Sequence, residues 1–132
     1  MIRLKRVYEP VAAADGLRLL VDRLWPRGLR KEEARLDGWL REVAPSGPLR
    51  KWFGHEPAKW AEFQRRYAAE LRAKPEIWQP IVDAARHGTV TLLFSARDAE
   101  NNNAAALKFF LEQPPGPARV ARSARRITRK SQ

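Results

Sequence analysis

Residues 89–94 read TVTLLF, a run of β-branched and apolar side chains that predicts a β-strand. The polar segment Ser95-Ala96-Arg97-Asp98 follows directly, and a helix is predicted from Asn103 to Leu111. Strands that alternate with helices are typical of an α/β fold with a parallel sheet. The stretch from residue 89 to residue 111 therefore predicts one strand and one covering helix of such a fold.

Two further strands are predicted upstream. Ile2 to Tyr8 alternates apolar and basic side chains, as a strand with one solvent-exposed face does. Leu17 to Leu24 follows an Asp15-Gly16 turn signal and contains a continuous apolar run. These two strands could pair as a hairpin or through a longer connection. The predicted fold class is a compact single α/β domain with a small, mostly parallel sheet flanked by helices.

Three more helices are predicted between the strands. Lys31 to Val43 carries apolar residues near one face and two glutamates in its first turn, and Ala44 to Pro48 is predicted to end it. A second helix follows Pro57, and a third runs from Pro75 to His87. The second helix has an apolar stripe at spacings of three and four residues, formed by Trp60, Phe63, Tyr67 and Leu71.

A proline-rich segment, Pro114-Pro115-Gly116-Pro117, predicts a boundary between an α/β domain at residues 1–113 and a basic tail at residues 114–132. The tail is predicted to be flexible. Its six basic side chains carry more than half of the formal net charge of +11. They are Arg119, Arg122, Arg125, Arg126, Arg129 and Lys130. Clustered cations release counterions from polyanions, so a nucleic-acid contact without sequence specificity is one functional hypothesis.

Composition narrows the remaining function classes. The chain contains no cysteine, which rules out disulfides, thiolate metal sites and a cysteine nucleophile. No apolar run resembles a signal peptide or a membrane helix, so we expect a cytoplasmic protein without a membrane partner. Two isolated histidines give no metal-ligand spacing, and no glycine-rich phosphate-binding loop is present. Neither a metal nor a cofactor is predicted.

Ligand-binding residues are predicted where two strands end. Asp22 to Gly28 follows the second strand and Ser95 to Asp98 follows the last one, and parallel strands bring such loops to one edge of a sheet. The predicted ligand is a small phosphate- or carboxylate-bearing anion, because arginine grips such groups bidentately. The candidate binding residues are Asp22, Arg23, Trp25, Arg27 and Arg97. Alternatively, Asp22 and Asp98 pair with these arginines and only hold the loops.

Three residues are candidates for catalysis: Asp22 as an orienting group or base, His55 and Ser95. An imidazole exchanges protons near neutral pH, but His55 also precedes a helix and could simply cap it. Ser95 lies in no G-x-S-x-G elbow, so no hydrolytic triad is predicted. Catalysis therefore stays undecided, and a third hypothesis is a structural or interaction module without a ligand.

Four sequence runs carry a resemblance to a known family. They are Lys5-Arg6-Val7-Tyr8, Val21-Asp22-Arg23-Leu24-Trp25-Pro26-Arg27-Gly28, Leu49-Arg50-Lys51-Trp52-Phe53 with His55, and Leu92-Leu93 with Ser95-Ala96-Arg97-Asp98. Over about residues 2–112 the chain resembles the YeaO-like branch of the "domain of unknown function 488" family. The resemblance implies a compact α/β domain and no established reaction. Relatives often carry histidine near the positions of Asn101-Asn102-Asn103. All three positions are asparagine in this chain, which argues against acid–base or metal chemistry there.

Overall fold

The strand at the centre of the sheet is β4, Val90–Phe94, and all five of its residues are buried. The computed structural model describes residues 1–113 and places β4 between β1, Ile2–Arg6, and β2, Leu17–Leu20. A short strand β3, Gly38–Trp39, pairs with the outer side of β2, which gives the order β1-β4-β2-β3. All three pairings are parallel. The predicted α/β class with a parallel sheet is confirmed.

The first two strands do not form a hairpin. Both pair with β4, and ten residues with a 3-10 turn at Ala13–Asp15 connect them. The register sets Arg6 beside Phe94 and Leu20 beside Leu93. The carboxyl ends of β1, β2 and β4 therefore lie at one edge of the sheet, and the loops that follow β2 and β4 start next to each other.

The helix predicted from Lys31 to Val43 is wrong, because this region forms three separate elements. Helix α1 covers only Lys31–Ala34 and ends at Arg35, whose φ of 46° is left-handed. Strand β3 follows, and a 3-10 turn spans Arg41–Val43. The apolar side chains that suggested one helical face come from different elements.

Pairing with β2 explains why the predicted helix does not form. The backbone amide of Asp37 donates to the Arg18 carbonyl, and that of Leu40 donates to the Leu20 carbonyl, both at 2.8 Å. The Asp37 carboxylate accepts from the Arg18 amide at 2.8 Å. These bonds satisfy backbone groups that a helix would have satisfied locally, so tertiary contacts override helix propensity.

Helix α2, Gly47–Phe53, was not predicted. The Ser46 hydroxyl caps it by accepting from the Leu49 amide at 3.2 Å, and Gly54 ends it with a left-handed φ of 52°. A serine followed by a proline within the first turn and a glycine after the last turn is a recognisable helix signature. In this chain the two prolines around Ser46 obscured it.

The other three helices agree with prediction. They are α3, Trp60–Arg72, after a 3-10 turn at Pro57–Lys59; α4, Pro75–Ala85; and α5, Asn103–Glu112. The predicted stripe on α3 faces the core, since Phe63, Tyr67 and Leu71 are buried and Trp60 is half-buried. The larger of the two apolar core clusters in the described residues lies between the sheet and these helices. No helix within residues 1–113 is long and apolar enough to span a bilayer.

A buried cluster of charged side chains lies just before the amino end of β2, around Asp15, whose exposed fraction is 3%. Its carboxylate accepts from the Lys5 ammonium at 2.9 Å, from the Ala12 amide at 3.0 Å and from the Arg18 guanidinium. Arg18 also donates to the carbonyl oxygens of Ala34 and Arg35. The cluster thereby joins β1, β2 and the end of α1. The predicted tail at residues 114–132 lies outside the described residues.

Candidate functional site

Two loops meet at the carboxyl ends of β2 and β4 through Asp22 and Ser95. One carboxylate oxygen of Asp22 accepts hydrogen bonds from the Ser95 amide at 2.9 Å and from the Ser95 hydroxyl at 2.8 Å. Both residues are half-buried. The structure thus places the two segments singled out in the sequence side by side.

Asn103, the first residue of α5, completes this junction. Its side-chain amide donates to the Val21 carbonyl at 3.1 Å and to the other carboxylate oxygen of Asp22 at 3.2 Å. The Trp39 indole donates to the backbone carbonyl of Asp22 at 2.7 Å. Asp22 therefore ties β3, β4 and α5 together, and its carboxylate is occupied by three donors within the described chain. Asn103 was not among the site residues predicted from the sequence.

A cavity of about 390 Å³ opens beside this junction, and we call it the rim pocket. Its lining includes the predicted residues Asp22, Arg23, Trp25, Arg27, His55 and Ser95. Arg50 from α2 and Asn103 also line it. The contribution of Arg50 could not be foreseen, because α2 was not predicted and the arginine reaches the pocket from that helix.

The pocket arginines lack carboxylate partners. Within residues 1–113, the side chains of Arg23, Arg27 and Arg50 form no ion pair and no hydrogen bond. Asp22 bonds Ser95 and Asn103 instead of an arginine. The arrangement in which Asp22 and Asp98 hold the loops by pairing with arginines is therefore not the one observed.

The Ser95–Asp98 loop contributes to the pocket only through its first two residues. Arg97 is exposed and does not line the rim pocket, so the structure does not bring it together with Arg23 and Arg27. The Asp98 carboxylate accepts from the amides of Asn101 at 3.0 Å and Glu100 at 2.9 Å. These backbone bonds, with a smaller contribution from the charge of His55, lower the pKa of Asp98.

The loop that carries the arginines is anchored at several points. The Tyr8 hydroxyl donates to the Arg27 carbonyl at 2.7 Å, and the Trp25 indole donates to the Leu29 carbonyl at 2.7 Å. The Trp25 ring packs edge-on against Trp39, with centroids 5.4 Å apart. Trp25 is half-buried, so it forms part of the pocket wall instead of a free stacking surface.

His55 lines the rim pocket from the segment after α2. It has a positive φ of 59°, uncommon for a residue with a β-carbon, and its ring centroid lies 6.0 Å from that of Phe53. Within the described residues it makes no hydrogen bond to Ser95 or Asp22. The Ser95 hydroxyl donates to Asp22, so the three candidate catalytic residues do not form a Ser-His-Asp relay.

A second and larger cavity, of about 770 Å³, adjoins the first, and we call it the apolar cleft. Its apolar walls come from Pro45, Pro48, Phe53 and Phe63. Four residues line both cavities: Arg50, His55, Ala96 and Asn103. No sequence pattern predicts this cleft, because three of these four wall residues lie in α2 or directly before it, and α2 was not predicted. No cluster of three or more potential metal ligands occurs in residues 1–113.

Comparisons with known proteins agree with the resemblance described above. The uncharacterized protein YeaO of Escherichia coli (strain K12) is 43% identical over 110 residues, which cover 83% of this chain and 96% of that protein. The uncharacterized protein Rv3073c of Mycobacterium tuberculosis (strain ATCC 25618 / H37Rv) is 38% identical over 106 residues, which cover 80% and 89%. No solved structure gives a significant match.

The family model that matches is described as the inactive DUF488-N3 subclade, and it covers residues 1–123. The match reaches into the basic tail, further than the resemblance over residues 2–112 indicated. Both loops that meet at Asp22 and Ser95 fall within it. The chain belongs to this inactive subclade of the domain of unknown function 488 family.

Proposed function

We propose that this protein binds a small phosphate- or carboxylate-bearing ligand in the rim pocket. The single observation that carries the proposal is that three arginines line one pocket and none has an anionic partner within residues 1–113. A folded protein gains little from gathering like charges without a counter-charge, since they repel one another. A bound anion would remove that cost.

The chemistry of the lining supports an anion over a cation. Three arginines line the pocket and Asp22 is its only acidic lining residue in the described chain, with a carboxylate that already accepts three hydrogen bonds. The first turn of α5, a helix of ten residues, borders the same pocket through Asn103, and helix N-termini carry partial positive charge. We assign Asp22 the role of holding the loops that present Arg23 and Arg27.

We propose binding without turnover. The family description calls the subclade inactive. Two observations on the candidate catalytic residues are consistent with that description: the Ser95 hydroxyl donates its hydrogen bond to Asp22, and His55 is bonded to neither of them. A ligand-binding role needs no activated nucleophile, whereas acyl or phosphoryl transfer through Ser95 would need a base within hydrogen-bonding reach.

The test is a titration of inorganic phosphate and of acetate into the full-length protein, followed by isothermal calorimetry or NMR. Arg23→Gln, Arg27→Gln and Arg50→Gln should each weaken binding about tenfold or more, because each removes charge-assisted hydrogen bonds. Arg72→Gln and Arg97→Gln are matched controls, since both arginines are exposed and neither lines the pocket. An equal loss of anion affinity in all five variants would show that the effect comes only from the change in net charge, and it would contradict the proposal.

A second candidate function is contact with nucleic acid through the basic tail. It is supported by the formal net charge of +11 and by the clustering of six basic residues after residue 118. This function would not depend on the rim pocket, so the arginine variants separate the two candidates. Loss of nucleic-acid binding on removal of the tail, with anion binding unchanged, would support both functions in separate parts of the chain.

A further inference from the structure

We propose that the ligand is an amphiphilic anion whose acid group binds in the rim pocket and whose ring-sized apolar body occupies the apolar cleft. This inference rests on the proposed function and adds the class of ligand. Organic phosphates and carboxylates with an aromatic or compact aliphatic body belong to this class. Free inorganic phosphate and short polar acids would occupy only the rim pocket and should bind more weakly.

The two cavities are neighbours that share part of their lining. Arg50, His55, Ala96 and Asn103 line both of them, so a single small molecule can contact the arginines and the cleft at once. Arg50 belongs to α2, whereas Ala96 and Asn103 belong to the segment from β4 to α5. The shared lining therefore comes from two separate parts of the chain. Their volumes, about 390 and 770 Å³, fall within the range of small-molecule sites.

The walls of the cleft suit an apolar body. Phe53 and Phe63 stack with centroids 4.4 Å apart and are 5% and 2% exposed, so the core holds them in place. Pro45, in the segment before α2, and Pro48, in the first turn of α2, add rigid apolar surface. A preformed apolar wall lowers the entropic cost of binding, because few side chains must be ordered.

Charge restricts the class further. Arg50, Lys51 and His55 line the cleft, and no aspartate or glutamate is among its lining residues in the described chain. A cationic body would be repelled by Arg50 and Lys51 without finding a counter-charge. The charges of the cleft therefore exclude a cationic body, such as that of a phosphorylated amine, and the apolar walls favour a neutral one.

The experiment compares two esters with the same charged group, phenyl phosphate and methyl phosphate, in calorimetric titrations of the full-length protein. Burial of the phenyl ring should make phenyl phosphate bind about ten- to hundredfold more tightly. Gly47→Leu should reduce that ratio towards one, because a β-carbon at residue 47 has no neighbour closer than 3.8 Å and the leucine would extend along the cleft wall. Ala69→Leu adds the same side chain on an exposed face of α3 and should leave the ratio unchanged.

Each outcome decides the proposal. Equal affinity of wild-type protein for both esters would overturn the inference and leave the proposed function standing, whereas binding of neither ester would overturn both. A ratio that survives in Gly47→Leu would show that the ring binds elsewhere. If Gly47→Leu binds neither ester, nuclear Overhauser contacts from the phenyl ring in the wild-type complex show where the ring binds. Contacts to Phe53 and Ala96 support the inference, and contacts only outside the cleft overturn it.

Discussion

Asp22 and Ser95 lie 73 positions apart in the chain and share two hydrogen bonds, one from the Ser95 amide and one from its hydroxyl. Replacing Asp22 with alanine removes the acceptor for both bonds and for the Asn103 amide. Half-buried donors would lose their partner, so we expect the free energy of unfolding to fall by about 2–3 kcal/mol. Urea denaturation followed by circular dichroism measures this change.

Ser95→Ala is the matched variant, since it removes only the hydroxyl and keeps the amide bond to Asp22. We expect a loss of about 1 kcal/mol. A smaller effect of Asp22→Ala than of Ser95→Ala would contradict the view that Asp22 joins the two loops.

The buried carboxylate of Asp15 predicts a dependence of stability on pH. Burial raises the pKa of Asp15, but the bond from the Ala12 amide and the pairs with Lys5 and Arg18 outweigh it and lower the pKa to about 2 from 3.8. Because the folded pKa lies below the unfolded one, the stabilisation is complete above about pH 4 and is lost as the pH falls towards 2. It amounts to about 2 kcal/mol.

Asp15→Asn isolates this contribution from those of the other carboxylates. At pH 5 it should be several kcal/mol less stable than wild type, because Arg18 would stay buried without its counter-charge. The gap between the two proteins should narrow by about 1–2 kcal/mol as the pH approaches 2. Urea titrations at several pH values test this, and a gap independent of pH would count against a depressed pKa.

Two glycines with positive φ should respond differently to alanine. A β-carbon on Gly16, at φ 64°, would lie 2.3 Å from the Thr89 carbonyl oxygen, whereas one on Gly28, at φ 74°, would meet no atom within 4 Å. Gly28→Ala should therefore cost about 1 kcal/mol of backbone strain. Gly16→Ala should cost clearly more, because the start of β2 must move away from the segment before β4. Thermal melting of both variants measures the difference, and equal losses would refute the predicted close approach.

Removal of residues 114–132 tests the nucleic-acid hypothesis. Six basic side chains can neutralise at most about six phosphates, so the tail contributes at most roughly −5 to the slope of log K against log salt on duplex DNA. The shortened protein should show a flatter slope, and wild type should show no sequence preference. Fluorescence anisotropy across a salt series gives both slopes, and identical slopes would remove the tail as a nucleic-acid contact.

Local sequence patterns predicted the elements that are long or strongly periodic. Phe63, Tyr67 and Leu71 mark α3 by spacing alone, and residues 89–94 mark β4 by composition. The meeting of Asp22 with Ser95 also followed from a general property of parallel sheets. In each case the local sequence pattern and the contacts in the folded protein favour the same structure.

The wrong or missing predictions concern residues whose conformation or position depends on contacts between segments far apart in the sequence. Trp39 sits in a helical pattern, but the bonds of Asp37 and Leu40 to β2 make it part of a strand. Arg50 reaches the rim pocket only because α2 packs beside it, and Asn103 reaches Asp22 from the start of α5. Arg97 is the opposite case, since it lies near Ser95 in sequence but does not line the pocket.

The central position of β4 has a consequence for synthesis of the chain on the ribosome. β1 and β2 emerge first, yet each pairs with β4, and neither pairs with the other. Until residues 90–94 have left the exit tunnel, β1 lacks a partner strand and β2 can pair only with β3. We therefore expect the sheet to be completed late, through contacts that span most of the domain. Until then, the apolar side chains of Leu19, Leu20 and Val21 should be accessible to chaperones.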